Sequence, residues 1–176
     1  LPAYLLGAQY NIVPFNAYRF FKDISGFTHT MATPLHLKLI MCTKEFKSCN
    51  LSGMFILTGA DPVEWYVIEE FVKKGAIVCS NWGMTEIGPI CINKTFYDID
   101  QVLEAKKISE DNTTILGDTY YCDYKIVNNE LYVKGDICVY NDWYATKDVV
   151  LEKNNTLFFR RRTDVEIKLN DSRKGL

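Results

Sequence analysis

Two unbroken apolar runs, Met54-Phe55-Ile56-Leu57-Thr58 and Ala76-Ile77-Val78-Cys79, constrain the fold most, because of what lies between them. An apolar run without polar alternation suits a parallel strand buried on both faces. Residues 62–74 carry Val63, Val67 and Phe71 four apart, with Glu64, Glu69, Glu70, Lys73 and Lys74 largely off that stripe. That is an amphipathic helix. Gly75 follows where a helix C-terminus favours a left-handed residue. Strand, helix and strand in this order imply a crossover and a parallel sheet.

The chain upstream continues the alternation. Residues 11–14 read as a short strand ended by Pro14. Residues 16–24 read as a helix with Asn16 as N-cap and Phe20, Phe21 and Ile24 on one face. Residues 27–32 read as a strand, and Thr33-Pro34 opens a helix over 35–41. Beyond about Asn93 the character changes. Residues 98–112 are polar and poorly periodic, a long loop with a helical turn near 102–106. Short strands follow at 121–127, 131–134, 136–140, 149–152 and 157–161. Asn128-Asn129 and Asn154-Asn155 are placed as hairpin turns, because Asn tolerates positive φ. The expected fold is α/β: part of a parallel α/β sheet layer, then a small antiparallel β-barrel or meander. The expected divisions are 1–97, 98–170 and a linker at 171–176.

Composition narrows the function classes. A chain of 176 residues, 48% hydrophobic and 24% charged, is that of an ordinary globular protein. The net charge of -2 excludes a global field suited to nucleic acid or an anionic membrane, and Arg160-Arg161-Arg162 is too short a basic run to change that. No apolar run reaches the roughly 20 residues that span a bilayer. The N-terminus lacks an initiator Met and a basic n-region, and reads as the start of a fragment. Cysteines at 42, 49, 79, 91, 122 and 138 form no Cys-x-x-Cys pair. They read as reduced, mostly buried thiols of a cytoplasmic protein, not as zinc ligands. His29 and His36 read as ordinary structural or surface residues. The N-x-S/T triplets at Asn50, Asn93, Asn112 and Asn154 read as chance in an Asn- and Thr-rich chain.

The candidate site lies where the two core strands surface. Ligands of open α/β sheets sit at the carboxyl ends of the strands. One end is Thr58-Gly59-Ala60-Asp61-Pro62, and the other leads through Ser80-Asn81 into Trp82-Gly83-Met84-Thr85-Glu86. A flat ring such as Trp82 can stack on a base. The Gly59-Ala60 backbone can approach a ligand edge closely. Thr85 can donate to a phosphate, and Glu86 can hold a divalent cation that neutralises phosphates. Together these residue types suit a nucleotide.

These residues resemble the adenylate-forming superfamily of acyl- and aryl-CoA synthetases, peptide-synthetase adenylation domains and luciferases. Trp82 to Glu86 resembles its Tyr-Gly-Met-Thr-Glu signature, and Ile56 to Val63 its glycine-alanine loop beside adenine. Asp142 to Asp148 resembles its W-(Y/F)-x-T-G-D motif, and Arg161 to Lys168 its G-R-x-D-D-x-I-K motif. Leu116-Gly117-Asp118 and Glu130 to Gly135 resemble its connecting strands, and Leu5-Leu6-Gly7-Ala8 its helix end. The resemblance runs through essentially the whole chain.

The resemblance implies an ATP-dependent carboxylic acid ligase, in which a carboxylate attacks the α-phosphate of ATP and the acyl group then usually passes to a thiol. It implies nucleotide contacts at Gly59, Ala60, Asp61, Asn81, Trp82, Gly83, Met84, Thr85, Asp148 and Arg162. Among these, Trp82 stacks on adenine, Thr85 meets phosphate, Asp148 chelates the ribose hydroxyls, and Arg162 lies near ribose and α-phosphate. Thr85 and Glu86 take the catalytic positions, Glu86 holds Mg²⁺, and Asp164 is the hinge for a C-terminal lid. The implied cofactors are ATP or AMP and Mg²⁺, with CoA as a candidate acceptor. A nucleotide and a carboxylic acid are the implied partners.

The family's phosphate loop is expected before residue 1 and its lid after residue 176, so this segment alone is expected to be inactive. Lys147 replaces the usual glycine beside Asp148, which would either close the ribose pocket or add a phosphate contact. Ala145 stands where Arg or Lys is common, and Arg161 replaces the glycine before Arg162. Two other readings stay open. One is a non-catalytic relative that binds AMP or a protein. The other is one half of a split enzyme, whose exposed apolar face would favour a homodimer or a companion segment.

Overall fold

A computed structural model describes residues 5–136 and 138–164. Sheet A has the order β1-β2-β3-β4-β6. Its strands are β1 (His29–Ala32), β2 (Phe55–Thr58), β3 (Ile77–Met84), β4 (Gly88–Phe96) and β6 (Thr119–Tyr120). The pairs β1–β2 and β2–β3 are parallel, as the apolar runs and crossover helix predict. The pairs β3–β4 and β4–β6 are antiparallel. Sheet B is wholly antiparallel, a β7-β8-β9-β10 meander with β5 beside β10. Its strands are β5 (Thr114–Gly117), β7 (Asp123–Val127), β8 (Glu130–Lys134), β9 (Tyr144–Lys153) and β10 (Thr156–Arg162).

The helices are α1 (Phe20–Asp23), α2 (Pro34–Met41), α3 (Lys44–Ser48), α4 (Trp65–Lys73) and α5 (Ile99–Ile108). The expected crossover helix is α4. Its Val67, Ile68, Phe71 and Val72 are buried, and Val63 is buried just ahead of it. Gly75 takes φ +90° after the last turn. Thr33 caps α2 by accepting from the His36 amide at 3.2 Å, with Pro34 in the first turn. Phe55 and Leu57 of β2 are only half-buried, so one face of that strand is less enclosed than its composition suggests.

Four local expectations fail. Residues 11–14 form no strand, because no neighbouring strand hydrogen-bonds to them. Asn16 does not cap a helix over 16–24. Its Oδ1 accepts from the Tyr18 amide at 3.0 Å, a local Asx turn, and the helix starts only at Phe20. Residues 98–112 are not a loop, since α5 runs ten residues from an Asp98 cap that accepts from the Gln101 amide at 2.9 Å. Its weak periodicity reflects a narrow buried stripe, Val102 and Ala105. The described residues of 136–140 form turns and bends, and β9 takes the place beside β8 instead.

The main core joins α2, α4 and sheet A, and also takes Val102 and Ala105 of α5, Ile115 of β5 and Phe158 of β10. Trp65 ties the halves together. Its indole N–H donates to the Thr113 carbonyl at 3.0 Å, and its ring meets Phe96 and Phe158. A second core, around Ile87, Ile92, Leu116, Leu131 and Leu157, lies between the sheets beneath the β3–β4 hairpin.

Candidate functional site

Parallel pairing from Phe55↔Ile77 to Thr58↔Ser80 ends β2 beside the middle of β3, so the two expected loops are neighbours. At Gly59 a Cβ would lie 2.6 Å from the Asn81 carbonyl oxygen, so the loop passes closer to β3 than any other residue would allow. Ala60 then adopts φ +76°, a left-handed conformation that costs an alanine energy and is seen at ligand-facing turns.

β3 does not end at Cys79. It runs to Met84, because β4 turns back and pairs with it from Val78↔Phe96 to Met84↔Gly88. The register shifts between Trp82 and Met84. Gly83 sits in that irregularity, and a Cβ there would meet the Pro89 carbonyl carbon at 2.5 Å. Only glycine lets the strands approach so closely. Thr85 and Glu86 form the hairpin turn, Thr85 exposed and Glu86 half-buried. The Glu86 carbonyl accepts from the Val139 amide at 3.4 Å.

Sheet B supplies the other half of the site. Asp148 lies on β9 and is only 3% exposed. The Trp82 indole N–H donates to its Oδ2 at 2.9 Å, bridging 66 positions of sequence. The Asp148 amide donates to the Thr146 hydroxyl oxygen at 3.1 Å, and that hydroxyl donates to the Leu131 carbonyl at 2.8 Å. Lys147, between them, has φ +68°. Lys147 stands where the resemblance expects glycine, and its backbone takes the left-handed conformation that favours glycine. Its side chain is exposed, 4.0 Å from Glu130.

Asp148 Oδ1 is buried without a hydrogen bond. Arg162 Nη1 lies 3.5 Å from it, an ion-pair contact too long for a good hydrogen bond. Arg162 instead directs its fork to Asp164, with Nε and Nη2 each 3.0 Å from an oxygen. Burial raises the Asp148 pKa, against the Trp82 hydrogen bond and the Arg162 charge, which lower it. The hydrogen bond to Asp164 raises that of Arg162, with Asp148 adding to it.

A cleft of about 150 Å³ lies where these pieces meet. Ala60, Asp61, Trp82, Met84, Asp148 and Arg162 line it, and Asn81 and Gly83 also border it. Gly59 is outside the lining, as are Thr85 and Glu86 in the hairpin. Sequence reasoning missed one wall, Thr114 to Leu116 of β5 with Phe159 of β10. Those residues read as plain strand, and only the β5–β10 pairing brings them to the cleft. Glu166, Ile167, Lys168 and the linker 171–176 lie outside the described residues.

No protein-family model and no curated protein sequence matches the chain. Solved structures do match its fold. IdnL7 superposes with a TM-score of 0.73 at 20% identity, over 86% of this chain and 37% of that one. The anthranilate CoA ligase AuaEII in complex with anthranoyl-AMP gives 0.70 at 15% identity, over 90% and 35%. E. coli MenE, with a bound phenylether-linked analogue of OSB-AMS, gives 0.61 at 21% identity, over 82% and 32%. The fold is that of the adenylate-forming enzymes, and the chain spans about a third of the length of these structures.

Proposed function

We propose that the chain is the nucleotide-holding segment of an ATP-dependent carboxylic acid ligase that forms acyl-adenylates, similar to acyl- or aryl-CoA synthetases. The supporting observation is the open acceptor at Asp148 Oδ1, buried beside Trp82 and Arg162 at the meeting of the two sheets. A carboxylate with a free oxygen there suits the two O–H donors of a ribose.

The cleft is smaller than the ~300 Å³ or more of ordinary ligand pockets. In this reading nucleotide binding turns the Trp82 ring away from Asp148. That movement frees the second carboxylate oxygen for ribose and presents the indole face to the base. Ala60 and Asp61 then border the base from the other strand tip. Arg162, already held by Asp164, supplies positive charge near the α-phosphate.

Glu86 is a suitable donor for Mg²⁺. Among the described residues no group of three His, Cys, Asp or Glu is placed to hold a metal ion, but Mg²⁺ bound with substrate phosphates commonly uses only one or two carboxylates. CoA as thiol acceptor and a cytoplasmic location belong to the same proposal. So do the phosphate loop and lid, which another part of a longer protein would carry.

Calorimetric titration with AMP and with ATP-Mg²⁺ tests the reading. AMP should bind the wild-type chain, and Asp148→Ala should weaken it at least tenfold. A wild-type chain that binds neither nucleotide would overturn the nucleotide-site assignment.

A second reading, one half of a split enzyme with a companion segment, is favoured by the surface around β1. That strand pairs only with β2 among the described strands. A cavity of about 730 Å³ opens between it and residues 6–16. Ile12 and Met31 are exposed there.

A further inference from the structure

The wall of the cleft that β5 supplies carries one hydroxyl among apolar side chains. Thr114 stands there with Ile115, Leu116 and Phe159. A valine would have the same shape and bury no polar atom. Thr114 instead holds a hydroxyl oxygen that is buried and has no hydrogen-bond partner. A buried polar atom left unpaired is destabilising, so its presence points to a partner that the chain itself does not supply.

Strand register fixes the direction in which that hydroxyl faces. Thr114 pairs with Phe159 of β10, and Phe159 pairs with Val150 of β9. Residues paired across antiparallel strands share one face of a sheet. Asp148 lies two residues from Val150, and Leu116 two from Thr114, so both share that face. Leu116 and Val150 belong to the second core, against which Trp82 and Phe159 pack. Ile115 points the other way, into the main core. Thr114 and Asp148 therefore look onto one cleft from one sheet face, two strand spacings or about 10 Å apart across β10.

Both residues offer an unfilled oxygen, Thr114 Oγ1 and Asp148 Oδ1. A third unfilled oxygen in the lining, Asn81 Oδ1, belongs to the neighbour of Trp82 on β3. Its side chain leaves the opposite face of that strand, tied by Nδ2 to the Pro89 carbonyl at 2.8 Å. A ligand that reaches both Thr114 and Asp148 must be elongated, with polar atoms at each end and a flat body between. A nucleoside has that form, with hydroxyls on its ribose and ring nitrogens on its base. The threonine hydroxyl suits any base edge, because it rotates to donate or accept.

We propose that Thr114 is a base-contacting residue of the nucleotide site, its hydroxyl bonding the polar edge of the base while Asp148 takes the ribose. The proposal rests on the nucleotide reading above and adds to it a contact from β5. The turning of Trp82 that accompanies nucleotide binding opens the cleft toward both oxygens.

The test measures AMP binding by calorimetry and urea denaturation for the full chain, Thr114→Val and Thr114→Ser. Thr114→Val should weaken AMP by about fivefold or more, the loss of one ordinary hydrogen bond. Thr114→Ser keeps the hydroxyl and should stay within about twofold of wild type. The urea midpoint of Thr114→Val should match or exceed that of wild type, since the change removes an unpaired buried oxygen and keeps the shape. A destabilised Thr114→Val would show that the hydroxyl is paired within the fold, and would overturn the proposal. Unchanged AMP affinity in that variant would overturn it as well. The valine effect should persist toward 2′,3′-dideoxy-AMP, which lacks the hydroxyls assigned to Asp148. An effect that disappears there would move Thr114 to the ribose and overturn the base contact. A wild-type chain that binds no AMP overturns the nucleotide reading and this contact with it, whereas wild-type binding that is indifferent to Thr114 overturns only the contact.

Discussion

Asp148 gathers the most physical tension of any single residue. It is buried, it accepts one strong hydrogen bond from Trp82, and its second oxygen is unfilled. Its folded-state pKa is raised by that burial. The folded state therefore holds the proton more tightly than the unfolded chain does. Stability falls as pH rises from the unfolded pKa through the folded one, and the full cost is present above both. Asp148→Asn should consequently be more stable than wild type at pH 7, with the difference vanishing near pH 3, as read by urea denaturation at each pH. Lys147 is the second strained residue, at φ +68°. A left-handed conformation costs a non-glycine residue about 1–2 kcal/mol, while its exposed contact with Glu130 contributes little. Lys147→Gly should raise stability by about 0.5–1 kcal/mol once glycine's extra chain entropy is subtracted, visible as a higher urea midpoint.

Among the elements, the two hairpin turns of sheet B were readable from two dipeptides. Asn128-Asn129 and Asn154-Asn155 all have φ between +50° and +64°, joining β7 to β8 and β9 to β10 with two-residue loops. Asn is written where the backbone must turn left-handed, so the signal is local. α5 was not readable, because its buried stripe is two residues wide and its lysines and glutamate dilute the period. Its start does carry a local signal, the Asp98 cap bonded to Gln101. Asp98→Ala should lower stability by about 1 kcal/mol, a shift of roughly 2–4 °C in the melting temperature. β3 was read too short because Trp82, Gly83 and Met84 look like a loop signature. They stay in strand geometry only because β4 folds back on them.

At the scale of the whole molecule, the α/β half and the β half share packing, with Trp65, Phe96 and Phe158 in contact across them. The other side of sheet A is less covered. Met31 of β1 is 77% exposed on an edge strand, with Leu35 and Leu39 exposed on α2 nearby. An apolar edge of this kind favours association between chains. Analytical ultracentrifugation of the isolated chain should show a mass that rises with concentration. Met31→Lys with Leu35→Lys should hold it monomeric. A wild-type chain that remains monomeric throughout would argue against the companion and homodimer readings alike.

The sequence by itself determined the parallel β-α-β unit, the hairpin turns and the residue types at both strand tips. Those rest on periodicity, on backbone conformations few residues tolerate, and on polar side chains placed where core strands surface. Tertiary structure alone decided that Trp82 faces Asp148 and that β5 walls the cleft. Each of those contacts joins residues from different strands or turns. Their meeting is set by how β4 folds back and how β5, β9 and β10 pair, geometry that no local window of residues contains.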